Sequence, residues 1–388
     1  MRSSTLFNGQ LNRPMLDIYL GTIIHLCMKT SVMLIAVICL LCGGSYCHAQ
    51  AMGLGKITYK GVDHFGIPLG WDGKRIALMD SAGRLIFVPA KDMSDVKMVA
   101  SEFRAYTPAQ IRKSLLNEFG DRYDVSVTDR YVVVHPWGSS SSYARPFELL
   151  HDRFVNLVES HGVKLQKPKV PLVAAVLRSR NDFNRTLFNE IQIKDQRVNG
   201  YYSSQTNRIT SYDKSGYIRK ANDPWIFGAS QIVHEAAHQS AFNTGLHNRF
   251  APPPKWMSEG LATLFEARGF MDPKKFPKQI QRINNSRIKH LRRKIAEGQL
   301  YALLLNLIDN DRIFQTDIET AYALSWGLSF YLYESAPKRY FQFLANDAKR
   351  KNFKPYTSSQ RLKSFALAFG NDFEKLAKKM NEFYMANQ

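Results

Sequence analysis

Cysteine is the first scarcity: the four in the chain, Cys27, Cys39, Cys42 and Cys47, all fall within the first 51 residues, and residues 52–388 have none. Such a distribution excludes a disulfide framework and thiolate metal ligation for the remainder, and it suits a fold made in an oxidising compartment. Acidic residues are also few, 33 against 53 Lys and Arg, for a net charge of +20. The first 51 residues contribute only Arg2, Arg13 and Lys29 against Asp17, so the basicity belongs to residues 52–388. Internal repeats are absent, and low complexity is confined to the serines at 139–142. Hydrophobic residues make up 45% and charged residues 22% of 388, the balance of a globular protein long enough for two domains.

What is present begins with a leader. Met28-Lys29-Thr30 opens a basic start, Val32 to Cys42 is apolar, and Ala49-Gln50-Ala51 offers small residues for cleavage. We read Met28 as the true start and expect export to a periplasmic or extracellular space. An uncleaved N-terminal membrane anchor is the alternative, although the apolar run is short for a span. Residues 52–104 read as a small β-rich module, with alternating segments Lys56 to Tyr59, Lys74 to Met79 and Arg84 to Val88. Residues 105–388 read as one larger domain. Thr107-Pro108-Ala109-Gln110 predicts a capping box, and Pro146 to Gly162 predicts a helix whose Phe147, Leu150, Phe154, Leu157 and Val158 pack on a sheet. Strands are expected at Tyr123 to Val127, Tyr131 to Val134, Val170 to Leu177, Gly200 to Tyr202 and Arg208 to Tyr212, and helices almost throughout from residue 223. Strands followed by helices predict an α+β domain with its chemistry at the junction.

That chemistry is concentrated in His234-Glu235-Ala236-Ala237-His238. Helical residues four apart share a face, so both imidazoles reach one ion while Glu235 sits beside the open coordination position. Asn222-Asp223-Pro224 is a suitable helix start and Gly245 a suitable stop. Imidazole and carboxylate donors with one free position suit zinc. A second helix opening at Pro254 carries Trp256-Met257-Ser258-Glu259-Gly260-Leu261-Ala262, and Glu259 would complete a His-His-Glu set. The extended metzincin motif would require glycine at Ala241 and histidine at Thr244. His247 is a spare candidate ligand, and Glu266 or Thr263 is a candidate to orient His234 or His238.

The segment Trp256 to Glu266 resembles the second zinc motif of the aminopeptidase N-type gluzincins. The stretch from about residue 120 to 335 also resembles a family of secreted bacterial proteins classed as peptidase-MA-like, through Tyr131-Val132-Val133-Val134-His135, Gly200-Tyr201-Tyr202, Asn207-Arg208-Ile209 and Tyr322-Ala323-Leu324-Ser325-Trp326. The resemblance implies a thermolysin-like α+β fold, one zinc per chain, and hydrolysis of a peptide or protein with Glu235 as general base. By the same analogy Tyr322 would stabilise the oxyanion; the competing reading makes it a core aromatic beside Trp326. The Gly-x-Met-x-Asn motif of the aminopeptidases is missing, so their specificity is not carried over and an endopeptidase is expected.

Two other classes of function compete with hydrolysis. Lys274 to Lys294 holds nine basic residues interleaved with Ile280, Ile283, Ile288 and Leu291, which predicts a basic amphipathic helix for an acidic polymer or anionic surface. Export and the want of any nucleic-acid-binding motif disfavour a nucleic-acid partner. The protein could also be a non-catalytic binder that keeps the gluzincin fold, but the intact His234, Glu235, His238 and Glu259 weigh against decay.

Overall fold

The computed structural model describes residues 53–71, 74–138, 143–191, 199–212 and 230–386. The leader, the Asn222-Asp223-Pro224 helix start and the serines at 139–142 lie outside them. Among the described residues no helix is long and apolar enough to cross a membrane. The chain divides into two compact units, the first running to Met79 and resuming over Ile86–Phe103, the second comprising Asp80–Leu85 and everything from Arg104.

The first unit is a five-stranded sheet of β1 (Leu54–Tyr59), β2 (Val62–Trp71), β3 (Arg75–Met79), β4 (Leu85–Pro89) and β5 (Met93–Ala100), in the order β4-β3-β2-β1-β5. Ile57, Ile76, Leu78 and Val88 are its core. Strands β2 and β5 escape the sequence reading. Gly66, Pro68 and Gly70 interrupt the alternation of β2, and β5 buries none of its residues, so neither carries the period that marks a half-buried strand.

The second unit is α+β, as expected. It opens with α1 (Pro108–Phe119), where Thr107 and Gln110 form the anticipated capping box and Gly120, at φ +69°, ends the helix. Strands β6 (Tyr123–Val127) and β7 (Tyr131–Pro136) form a hairpin. Then come α2 (Ala144–Ser160), β8 (Leu172–Leu177), α3 (Arg180–Ile191), β9 (Gly200–Ser203) and β10 (Arg208–Tyr212). The sheet order is β6-β7-β8-β10-β9, with β7, β8 and β10 parallel and β9 an antiparallel edge. Alternation decides what each face buries. Val132, Val134, Val173, Ala175 and Leu177 pack with α1 and α3, whereas Tyr131, Val133, Leu172, Ala174 and Val176 face α2 and the helical half. β8 is buried along its whole length, which explains its unbroken apolar run.

Beyond the sheet the chain is helical: α4 (Ser230–Asn243), α5 (Lys255–Phe265), α6 (Asn285–Ala296), α7 (Leu300–Asp309), α8 (Ile313–Thr316), α9 (Ile318–Ser335), α10 (Pro337–Asp347), α11 (Ser358–Phe369) and α12 (Phe373–Met385). Every residue of α4 from Ile232 to Ala241 is buried. Ala236, Ala237, Ser240 and Ala241 keep it slim enough to sit between sheet and helices. Past its end Gly245 takes φ +80° while the His247 N–H donates to the Ala241 carbonyl, an αL stop of the anticipated kind. Gly260 lets α5 lie directly on α9, because a β-carbon there would stand 2.2 Å from Ser329 Oγ and 2.6 Å from the Ser325 carbonyl.

The expected basic amphipathic helix over Lys274 to Lys294 is corrected. Only residues from Asn285 onward are α-helical, with a short 3₁₀ turn at Gln279–Arg282 before them, because Pro273 and Pro277 break the earlier part. Two of its arginines are engaged internally. Arg282 is buried in a two-pronged pair with Glu334 at 2.9 and 2.7 Å, and Arg292 donates to the Tyr384 carbonyl at 2.9 Å.

Candidate metal centre

Helix α4 supplies His234, Glu235 and His238, and α5 supplies Glu259. The two Nε2 atoms are 3.1 Å apart, and Glu259 Oε2 lies 3.2 Å from that of His234 and 3.4 Å from that of His238. Three lone-pair-bearing atoms thus converge on one point. Tetrahedral ligation with bonds of about 2.0–2.1 Å requires ligand atoms about 3.3 Å apart, so the triangle has the size such an ion needs. Among the described residues this is the group of His, Asp and Glu side chains able to hold a metal ion.

The electrostatics favour positive charge at that point. Burial opposes protonation of His234, but the Glu259 and Glu266 carboxylates outweigh it and hold the imidazole well above its ordinary value. Burial likewise opposes ionisation of Glu259, and the His238 and His234 rings overcome it, leaving the carboxyl well below its usual range. A cation seated between the donors satisfies the same demand.

Glu266 fixes the orientation of His234, its Oε1 standing 2.9 Å from Nδ1 and so directing Nε2 toward the triangle. The Glu266 carboxylate is held in turn by Asn284 Nδ2, which donates to Oε2 at 2.7 Å. Thr263, the other residue expected in this role, does not take it. Its hydroxyl donates back along α5 to the Glu259 and Gly260 carbonyls instead. His247 is also corrected as a candidate ligand. It is 1% exposed with its ring against Phe242, and it is not one of the three residues whose ligand atoms converge.

Glu235 turns toward the edge strand. Its Oε2 accepts the Tyr202 backbone N–H at 2.8 Å, and its Oε1 accepts Gln231 Nε2 at 2.6 Å. The close approach depends on Gly200, where a β-carbon would stand 2.8 Å from Gln231 Cγ and 3.2 Å from Glu235 Cγ. Tyr322, near the start of α9, has its ring 6.3 Å from that of His234, whereas Trp326 is stacked on Phe330 elsewhere in the core. Burial, then the charges of Glu259 and Glu235, push the Tyr322 phenol above its ordinary range, so it stays protonated and able to donate. Arg287 lies over the Tyr322 ring at 5.0 Å and 3.9 Å from Glu266 Oε1. A residue that the sequence places in a basic face therefore borders the candidate metal site.

Gln231, the Tyr202 N–H, Asn284 and Arg287 do not stand out in the sequence as parts of this site. Gln231 stands one turn before Glu235 and is open to notice on spacing; a backbone donor leaves no side-chain signature.

A family model described as a protein of unknown function (DUF1570) matches residues 228–354, the stretch that holds every side chain of this cluster. No curated protein matches the chain. Among solved structures there is a distant similarity to M1 zinc metallopeptidases. A mutant of a two-domain M1 zinc metallopeptidase bound to L-arginine aligns with TM-score 0.35 and 13% identity, over 65% of this chain and 48% of that one. An M1 zinc metallopeptidase from Deinococcus radiodurans aligns with TM-score 0.32 and 16% identity, over 68% and 52%. A mutant of the Deinococcus radiodurans enzyme gives 0.32 and 16%, over 68% and 51%. The chain thus spans about half the length of each.

Proposed function

We propose that this chain hydrolyses peptide bonds at one zinc ion held by His234, His238 and Glu259, with Glu235 as general base. The observation that carries the reading is the triangle of donors with 3.1–3.4 Å edges, beside a carboxylate that belongs to none of its corners. When bound, zinc supplies Lewis-acid polarisation of the scissile carbonyl and of the attacking water. Glu235 takes the proton of that water and returns it to the leaving amine. Gln231 and the Tyr202 N–H hold the carboxylate in place through the transfer. Tyr322 offers its O–H to the developing oxyanion, and Arg287 above the ring keeps the phenol oriented. The leader within residues 1–51 supports an exported enzyme, and a peptide or protein is its substrate.

Metal analysis and turnover of the purified full-length protein test this together. One zinc per chain is expected in the wild type and in Glu235→Gln, and none retained in His234→Ala or His238→Ala. Glu235→Gln loses at least the roughly 10²–10⁴-fold that proton transfer contributes. Stoichiometric zinc in both histidine variants overturns the ligand assignment, and near wild-type turnover in Glu235→Gln overturns the mechanism. Full zinc with no hydrolysis of any peptide favours the non-catalytic binding protein.

A further inference from the structure

Lys255 opens α5 four residues before Glu259, so the two side chains share a face of the helix one turn apart. Lysine ahead of glutamate is the less favourable order for an ion pair within a helix, and Glu259 is already turned to His234 and His238. The Lys255 ammonium lies instead 5.6 Å over the ring of Phe314. That ring stands 5.9 Å from the ring of Tyr322, which in turn is 6.3 Å from that of His234. A continuous row of contacts therefore leads from the ammonium to the candidate metal centre.

The other charges along this row are committed. Arg287 lies over the Tyr322 ring and 3.9 Å from the Glu266 carboxylate. Asp311 caps α5 by accepting the Lys255 backbone N–H at 3.0 Å, and Arg361 neutralises it through two contacts of 3.0 and 2.9 Å. Asp317 caps α9 by accepting from the N–H and hydroxyl of Thr320. Lys255 is exposed, and among the described residues its ammonium has no carboxylate partner and donates no hydrogen bond. A surface lysine is ordinarily just solvated; this one is set apart by the helix face it shares with a metal ligand. Helical residues four apart have β-carbons about 5–6 Å from one another, and an extended peptide advances about 3.3 Å per residue. A peptide whose scissile bond lies at the ion thus brings a residue within about two or three positions of that bond beside the ammonium.

We propose that Lys255 is a specificity-determining residue that receives a carboxylate of the peptide substrate, so that the chain prefers peptides with an acidic group close to the bond it cleaves. The proposal rests on the hydrolytic reading, from which the peptide nature of the substrate is taken.

The probes are end-blocked octapeptides of Ala and Ser with a single Glu scanned along them, the same peptides with Gln, and an Ala and Ser octapeptide with a free C-terminal carboxylate. Affinity is read on the zinc-loaded, full-length Glu235→Gln protein, and kcat/KM on the wild type. At one or two positions Glu binds about tenfold tighter than Gln at low salt, the size of one charge-assisted contact, and the same peptides are cleaved with the higher kcat/KM. In Lys255→Met, which keeps an unbranched stem, the Glu-to-Gln ratio falls to about one. Lys255→Arg keeps the preference and Lys255→Glu inverts it. An advantage of the free C-terminus over Glu, lost in Lys255→Met, identifies the carboxylate as the terminal one. Lys378→Met, on α12, removes the same charge from another surface and leaves the ratio intact. No preference for either carboxylate in the wild type, an unchanged ratio in Lys255→Met, or an equal fall in Lys378→Met would each overturn the proposal. Absence of any hydrolysis overturns the hydrolytic reading instead, and a binding preference lost with Lys255 then leaves this residue as the carboxylate receptor of a peptide-binding protein.

Discussion

Helix α4 has two polar sides, and they treat buried histidine in opposite ways. On one side His234 meets Glu259 and Glu266 and is held well above its ordinary pKa despite full burial. On the other, His151 places Nδ1 3.0 Å from the Ser240 hydroxyl, and burial, helped by the Arg130 charge, lowers its pKa to about 4. His247, past the end of α4, is lowered to about 3 by burial and then by the charge of His238. Burial alone therefore makes an imidazole neutral, and only contacting carboxylates reverse it. The second side is instead stitched to the sheet by neutral bonds, with Gln239 Nε2 donating to the Val173 and Asn207 carbonyls at 3.0 and 2.9 Å. One helix thus joins a face built for a cation to a face built for rigidity.

Removing a carboxylate from the first side is expected to break the contrast most strongly. In Glu266→Gln the His234 ring loses its anionic partner and Nε2 becomes a poorer donor, so zinc affinity falls about 10–100-fold, measured by competition with a chromophoric chelator. His151→Phe, on the second side, is the matched control and should leave zinc affinity within about twofold of wild type, since no carboxylate or ligand contact is lost. Equal losses in the two variants would mean that general packing, rather than the carboxylate, sets the affinity.

How far the two sides can be read from sequence depends on their physics. The cation side is legible because helical geometry imposes spacing: His234 and His238 are four apart, and Glu266 lies two turns past Glu259. Its outer supports are not, because Asn284 and Arg287 reach Glu266 from a segment whose charge density invites a reading by composition. The neutral side is nearly invisible, since Gln239, Asn207 and His151 come from three elements and share no local pattern. The basic run at 274–294 splits once folded: Arg282 and Arg292 turn to internal partners, while Lys274, Lys275, Lys278 and Lys289 stay exposed. Charge density in sequence reports abundance; only the fold decides which guanidinium groups keep their donors.

The smallest effect sharpens the neutral side. His247 is 1% exposed and its Nε2 has no hydrogen-bond partner among the described residues, so the native state holds it uncharged down to a pKa of about 3. In the unfolded chain the same ring titrates near 6.5. Between those values the unfolded state carries the extra proton, so stability rises with pH across the window and is lost as pH falls from about 6.5 toward 3. At pH 5 this one group costs about 2 kcal/mol relative to pH 7. His247→Leu removes both the titration and an unsatisfied polar atom while roughly keeping side-chain volume. It should match the wild type within about 1 kcal/mol at pH 7 and exceed its stability by about 2 kcal/mol at pH 5, read from urea midpoints of the chelator-treated proteins. Chelation removes any contribution of bound metal, and taking the difference between variant and wild type cancels the titration of the His234 side, which both share. A pH 5 to pH 7 difference unchanged by the substitution would show that His247 is charged in the native protein, and the distinction between the two sides of α4 would fall with it.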